Sequence, residues 1–375
     1  MRILAIDVGT GTQDILLFDS TQPVENAIQM IMPSPTQIAA KRIRRATAQG
    51  RAVVLTGVVA GGGPCSWALE EHLRAGLPAF ATPEAAATFD DDLDRVRAMG
   101  VTVVSAEEAR RAQGERVILG DLNLEAVRGA LAAFDADADF DGIAVGCLDH
   151  GAAPPGYSDR LFRFEHLRRV VEARNDLRAF AMLPEEIPDY LTRARAAVRP
   201  VAADLPAVFL DTGPAAALGA LQDQVVGRAQ EQCVLNLGNM HALCFHLRGT
   251  EIVSLFEHHT GEISAEQIVG FTERLLRGEL THEDVFDTSG HGVYYAVAAA
   301  DEGSTVQGAM GRPMVAVTGP QRRKLRDTRL DPYFAVPHGD MMVSGCFGLL
   351  WAYAERHPAQ REEILAQLGI NAAPV

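Results

Sequence analysis

The chain has 375 residues, 47% of them apolar and 22% charged, a globular composition with length enough for two domains that each bury a core. A formal charge of -15 argues against nucleic acid as a partner, since backbone binding needs a basic stripe, and no apolar run reaches the roughly 18–20 residues of a bilayer span. Arg2-Ile3-Leu4-Ala5-Ile6-Asp7 lacks the long apolar core of a secretory leader, so a cytoplasmic protein is expected, with a small-molecule ligand between its lobes.

In chain order, apolar runs at 2–7 and 13–19 flank Val8-Gly9-Thr10-Gly11-Thr12, which predicts a β-hairpin with a glycine-rich tip. A strand near 26–32, a helix over 36–49 and a buried strand over 52–57 follow, and Pro64 after Gly61-Gly62-Gly63 suits a helix's first turn. Next come a helix around 84–98, short strands near 101–104 and 116–119, a helix near 124–133, and a buried strand over 142–146 that runs into Cys147-Leu148-Asp149-His150-Gly151. Strands alternating with helices predict a mixed sheet covered by helices. The Pro-, Arg- and Ala-rich stretch 152–205 ends the first unit, giving domains 1–203 and 204–375.

The second half repeats this order of parts. Cys233 to Phe245 again reads strand, glycine-containing tip, strand, with Asn236 and Gly238 where Asp7 and Gly9 stood. Val315 to Gly319 echoes Val53 to Gly57, and Phe334 to Gly339 echoes Ile143 to Gly151 more loosely. A duplicated fold is the expectation.

The hairpin tips carry the chemistry. Glycines let backbone amides approach phosphate oxygens, threonine hydroxyls add donors, and a strand-end carboxylate can hold Mg²⁺ through water. Gly9, Thr10, Gly11 and Thr12 are therefore candidate phosphate-binding residues and Asp7 the Mg²⁺ carboxylate. A glycine-tipped hairpin without a ligand is the bland alternative. Asp14 occupies the third glycine position of a dinucleotide fingerprint and a strand follows it, which excludes that motif.

These residues carry a resemblance. Ile3 to Thr12 with Leu16-Leu17-Phe18-Asp19 resembles the first phosphate motif of the superfamily of actin, sugar kinases and heat-shock chaperones, and Val234 to Phe245 its second. Val317-Thr318-Gly319-Pro320 resembles the adenosine-side strand, and Gly339 to Gly348 the terminal small-residue helix. The resemblance implies an α/β protein of two ribonuclease H-like lobes, the actin-like ATPase fold, around a central cleft. It implies ATP with Mg²⁺, and Asn236, Gly238, Asn239, His241, Thr318 and Gly319 as further cofactor-binding positions. Asn236 replaces the usual Asp, which removes a charge that would help hold the metal.

Nearly the whole chain also resembles the DUF1786 family, through stretches that include Leu148 to Gly151, Asp211 to Ala216, Phe256-Glu257-His258-His259-Thr260-Gly261 and Gly290-His291-Gly292. Members carry the label of a pyruvate formate-lyase activating enzyme. That radical chemistry needs a Cys-x-x-x-Cys-x-x-Cys run, whereas Cys65, Cys147, Cys233, Cys244 and Cys346 are far apart and read as reduced packing residues, so no iron–sulfur cluster is expected.

Other polar groups leave several readings open. Histidines crowd one fifty-residue region, and His241, His258, His259 and His291 are candidate metal ligands or ordinary hydrogen-bonded side chains, with His258 and His259 on opposite faces of a strand. Asp149 is a candidate general base or a turn cap, and Asp211 a base or the cap of a small-residue helix. Arg322, Arg323 and Lys324 read as solvated or phosphate-neutralising. Three functions follow: an ATP-dependent phosphotransferase or ATPase, a nucleotide- or metabolite-binding regulator without turnover, or a histidine-based metal-dependent hydrolase.

Overall fold

The computed structural model describes residues 1–296 and 313–370. β1 (Arg2–Val8) and β2 (Thr12–Asp19) form the expected antiparallel hairpin, setting Asp7 opposite Asp14, and β3 (Ile28–Pro33) adds antiparallel to β2. Ser34 caps α1 (Pro35–Ala48) by accepting from the Gln37 amide, and Ala39, Ala40, Ile43 and Ala46 make its buried face.

The chain then builds a separate parallel sheet. β4 (Val53–Gly57), α2 (Pro64–Arg74), β5 (Ala79–Ala81), α3 (Pro83–Ala86), α4 (Leu93–Ala98), β6 (Val101–Val103), α5 (Ala106–Arg111) and β7 (Glu115–Leu119) give the strand order β6-β5-β4-β7. The helix expected around 84–98 is two helices, because Asp92 caps the second by accepting from the Asp94 amide and Phe89 to Asp92 turn out of helical geometry. α6 (Leu124–Ala132) returns the chain to the first sheet, where the fully buried β8 (Gly142–Cys147) lies parallel to β1. After α7 (Asp159–Ala173) and α8 (Thr192–Ala202), β9 (Ala207–Leu210) pairs parallel with β8. The first sheet therefore takes its last strand from beyond residue 203, the boundary that the proline-rich stretch suggested. Pro154, Pro155, Pro184 and Pro188 lie in loops and turns ahead of α8, and Pro200 lies inside that helix.

α9 (Thr212–Ala220) leads to the second lobe. β10 (Gln232–Leu237), β11 (His241–Arg248) and β12 (Glu251–His259) form an antiparallel meander, followed by α10 (Ala265–Leu276), α11 (His282–Phe286) and β13 (Gly292–Tyr295) on the edge of β12. β14 (Met314–Thr318) pairs parallel with β10, β15 (Tyr333–Phe334) pairs parallel with β14, and α12 (Ser344–Arg356) and α13 (Pro358–Gln367) complete the chain.

The two lobes share one topology. Order β3-β2-β1-β8-β9 in the first matches β12-β11-β10-β14-β15 in the second, with two antiparallel pairings followed by two parallel ones in each. This is the ribonuclease H-like order twice over, the actin-like ATPase fold. The duplication is as expected, but two of its three echoes are reassigned. β14 corresponds to β8 and not to β4, and β15 corresponds to β9. A five-residue apolar strand ending in Thr-Gly looks alike in any buried parallel sheet, so pattern cannot say which sheet it joins.

α12 packs on β1, β8 and β9, α9 packs on β10 and β14, and the two helices cross between the sheets in one continuous apolar core. No helix among the described residues is long and apolar enough to cross a membrane.

Candidate functional site

The strand ends of both lobes meet around a cavity of about 880 Å³. On one wall, Gly9 and Thr10 of the first hairpin tip face Gly61, Gly62 and Gly63, the loop that opens α2. Ser34 Oγ donates to the Thr10 carbonyl at 2.6 Å and Thr36 Oγ1 donates to the Gly62 carbonyl, so one stretch of chain braces both loops. Gly63 has φ +61°, and a Cβ there would lie 3.5 Å from the Thr10 methyl, so the loops abut. Among the described residues, the amides of Thr10, Gly11, Gly62 and Gly63 donate to no protein acceptor. Amides free at a glycine loop and a helix N-terminus suit an anion.

The second hairpin does not face the first across open space. Its Asn239 side chain packs directly on Gly11, and Gln321 Nε2 donates to Asn239 Oδ1 at 3.2 Å. Met240 and His241 reach the cavity, whereas Gly11, Thr12, Asn236, Gly238, Asn239, Thr318 and Gly319 lie outside its lining. The partner of the first tip is thus the start of α2, from the inserted sheet.

Asp7 lies behind the tip and outside the lining. It is buried, accepts from Thr212 Oγ1 at 2.8 Å, and packs so closely on Gly345 that a Cβ there would strike its carboxyl. Burial, partly offset by the Thr212 hydroxyl, pushes its carboxyl up to about 6. Across the hairpin, burial and then the Asp7 charge push Asp14 up to about 7, and Asp14 Oδ1 has no partner. The folded Asp14 carboxyl holds its proton more tightly than the unfolded one at 3.8, so stability falls as pH rises from about 4 to about 7. Asp14→Asn is therefore expected to stabilise the protein, little at pH 4 and by up to about 4 kcal/mol at pH 8. Melting curves across that range check it, and a variant no more stable than the parent at pH 8 contradicts it.

Histidines form another part of the lining. His150 leaves β8, His241 opens β11, His259 closes β12 directly across from His241, and His291 precedes β13. One ring nitrogen from each falls in a group whose members all lie within 4.8 Å of one another. His291 is fully buried with both ring nitrogens unpartnered, and its ring centroid lies 4.6 Å from that of His259 and 5.1 Å from that of His241. Burial holds His150 well below the ordinary imidazole value, and pushes His259 down to about 4 and His291 down to about 3, so these rings are neutral near pH 7. His258 is not part of this group. Strand alternation turns it to the other face, where its ring bonds the His259 carbonyl at 3.0 Å and Thr288 Oγ1 at 3.2 Å.

Behind the histidines lies a buried ionic triad. Arg163 of α7 holds Asp211 through Nη1 at 2.5 Å and Nη2 at 3.1 Å, and meets Glu257 of β12 through Nε at 3.2 Å. Glu257 Oε1 lies 3.4 Å from His241 Nδ1. Burial alone would raise the Glu257 carboxyl, but the Arg163 guanidinium and the neighbouring histidines hold it well below the usual carboxylate range.

Neither carboxylate expected as a base faces the cavity. Asp149 accepts from the Gly151 amide at 2.8 Å and the Ala194 amide at 2.9 Å, and Asp211 caps α9 while pairing with Arg163. Both sit at strand exits where the next turn's amides are left over, and those amides capture them. The carboxylates on the lining are Asp90, Asp91, Asp92 and Asp159. Lys324 is bound rather than solvated, donating to the Thr260 carbonyl at 2.5 Å.

Sequence reasoning placed His241, His259 and His291 as candidate ligands and missed three things. His150 belongs with them, although the sequence signalled only an Asp-His pair at the exit of a buried strand. Arg163 carried no signal, being one of several arginines in a helix. Glu257 could have been found from period-2 alternation, which puts it on the same face as His259.

The chain is similar in fold to an activator of 2-hydroxyisocaproyl-CoA dehydratase from Clostridium difficile, solved with bound ADPNP (11% identity, all of both chains covered, TM-score 0.33). It is also similar to the ethanolamine utilization protein EutJ from Carboxydothermus hydrogenoformans (12% identity, 93% of this chain and 89% of that one, TM-score 0.29). A ROK hexokinase from Thermus thermophilus matches 68% of this chain over 49% of its own, at 12% identity and TM-score 0.24. At these values the strand orders, and not the likenesses, carry the fold assignment. No curated protein matches the chain. Residues 60–324 match the model of the family described as "Putative pyruvate format-lyase activating enzyme (DUF1786)", and the chain belongs to that family.

Proposed function

We propose that the interlobe cavity binds a phosphate-bearing small molecule, with ATP and Mg²⁺ the favoured pair, and that the protein acts as a phosphotransferase or ATPase. The observation that carries this reading is the meeting of the Thr10, Gly62 and Gly63 amides, free of protein acceptors among the described residues, on the cavity lining at the N-terminus of α2. Three donors fixed in place cost little reorganisation when they meet a phosphate. The cavity, at about 880 Å³, lies within the range of small-molecule sites, and the actin-like ATPase fold is built around such a cleft. Mg²⁺ would be held by the phosphates and, through water, by Asp7. That contribution needs an ionised carboxylate and so is expected to fade as pH falls below about 6.

A regulator that binds without turnover is the second reading. It is favoured by Asn236 at the usual Asp position and by Asp149 and Asp211 being turned away from the cavity. The activity named in the family's description does not fit these residues. A radical cluster needs three thiolates together, whereas Cys65, Cys147 and Cys346 lie in three separate cores and Cys233 and Cys244 share a fourth.

A thermal-shift screen of nucleotides, pyrophosphate and inorganic phosphate, each with and without Mg²⁺, tests the proposal. A ligand at 100 times its dissociation constant is expected to stabilise the parent by about 2.7 kcal/mol. Thr10→Glu, which puts a carboxylate where the phosphate would sit, is expected to remove the shift. Stabilisation with phosphate release supports the enzyme, stabilisation alone supports the regulator, and no shift from any phosphate compound rejects both.

A further inference from the structure

Outside this group the two fully buried histidines are satisfied, and His246, nearly as buried, leaves only Nε2 without a hydrogen bond. His72 and His258 are both fully buried, and each engages both ring nitrogens: His72 with Thr47 Oγ1 and the Pro78 carbonyl, His258 with the His259 carbonyl and Thr288 Oγ1. His291 is equally buried and engages neither. Buried polar atoms are nearly always hydrogen-bonded, so two orphaned ones on a single ring point to a missing partner.

We infer that His150, His241, His259 and His291 bind one divalent first-row transition ion of the kind that prefers imidazole, with Zn²⁺ the reference member, at the floor of the interlobe cavity. Four ring nitrogens lie within 4.8 Å of one another, whereas a tetrahedral ion with Zn–N bonds of about 2.1 Å would space them about 3.4 Å apart. Side-chain rotation on the order of 1 Å closes the difference. The all-nitrogen donor set suits Zn²⁺, Co²⁺, Ni²⁺ or Fe²⁺ and disfavours Mg²⁺ and Ca²⁺, which take oxygen.

The surroundings favour a cation. The four rings offer nitrogen lone pairs. Behind them a single guanidinium, Arg163, faces two carboxylates, Asp211 and Glu257, which leaves one negative charge uncompensated in the buried interior. Glu257 is also placed to act on the ligand set, since its Oε1 lies 3.4 Å from His241 Nδ1. A carboxylate on one imidazole nitrogen fixes the tautomer and turns the other nitrogen to the ion, which makes Glu257 a positioning residue. His150, His241 and His259 line the cavity and His291 lies behind them, so the ion would be reached from the cavity side, where water or a ligand oxygen could fill a remaining position. The inference is independent of the nucleotide reading, because it uses none of the amides at the glycine loops.

Chelator-treated full-length protein is dialysed against Zn²⁺ or Co²⁺ without nucleotide, and bound metal is measured together with the Co²⁺ visible spectrum. The expected result is about one ion per chain and a ligand-field band of low coordination number. His150→Ala and His259→Gln, which alter cavity-facing rings and spare the core, are expected to weaken binding at least tenfold, and Glu257→Gln by about 10–100-fold. His258→Ala is the control and should bind as the parent does. Circular dichroism identifies any variant that has failed to fold, and the parent set beside the two cavity-facing variants is enough to decide. Parent protein that binds no ion above the His150→Ala level, or variants that bind as tightly as the parent, overturns the inference. Absence of metal with an intact nucleotide shift in the same parent preparation would sink this site and leave the phosphate reading standing.

Discussion

Replacing Arg163 with methionine is expected to destabilise the protein by at least about 3–5 kcal/mol at pH 7. The guanidinium is fully buried and shares its five donors among Asp211, Glu257 and the Asp149 carbonyl. Its removal strands two carboxylates in the buried interior, and the cost of that exceeds the loss of the ion pairs themselves. The pH dependence gives the mechanism away. Glu257 is held well below its ordinary value in the parent, so its contribution is present above about 4.5 and is lost as pH falls through the folded value. In Arg163→Met the carboxylates would have to take up protons, and the deficit should be largest at neutral pH and shrink toward pH 4. Urea unfolding at several pH values measures both. Lysine is not expected to rescue, because one ammonium cannot hold both carboxylates in the fork geometry. A deficit under 1 kcal/mol at pH 7 would show that the triad is not closed in solution.

Gly219→Ala and Gly348→Ala are each expected to cost about 3 kcal/mol or more, although alanine normally improves a helix. α9 and α12 cross so closely that a Cβ on Gly219 would meet the Ser344 carbonyl, and one on Gly348 the Ala215 carbonyl. The obstacle in both cases is backbone, which cannot swing aside as a side chain can. The helices would have to separate, and with them the sheets they join. Gly129→Ala on α6 has open space around the new methyl and serves as the control, expected to be neutral or slightly stabilising. Thermal and urea denaturation of the three variants decide the matter, and equal behaviour of all three would contradict the close crossing.

Much of the architecture could be read from residue order. Both glycine-tipped hairpins, the buried strands 52–57 and 142–146, and a doubled fold follow from apolar periodicity and turn chemistry, which act over a few residues at a time. Period-2 alternation likewise says that His258 and His259 cannot share a face. These are local constraints, and local sequence carries them in full.

Pairing over long distances is another matter. The parallel partner of β1 is β8, more than a hundred residues on, and the inserted sheet between them has strands of the same apolar kind, so only the folded chain shows that β4 stands apart. The same holds for the site. His150, His241, His259 and His291 come from four strand ends, and Arg163 from a helix, brought together by hydrogen-bond registers that no spacing encodes. The sequence by itself determined that two like lobes would carry glycine-tipped hairpins and that histidines would crowd the second. The tertiary structure alone decided which of them meet, because a site assembled across strand ends is fixed by sheet pairing and core packing, and these are summed over the whole chain.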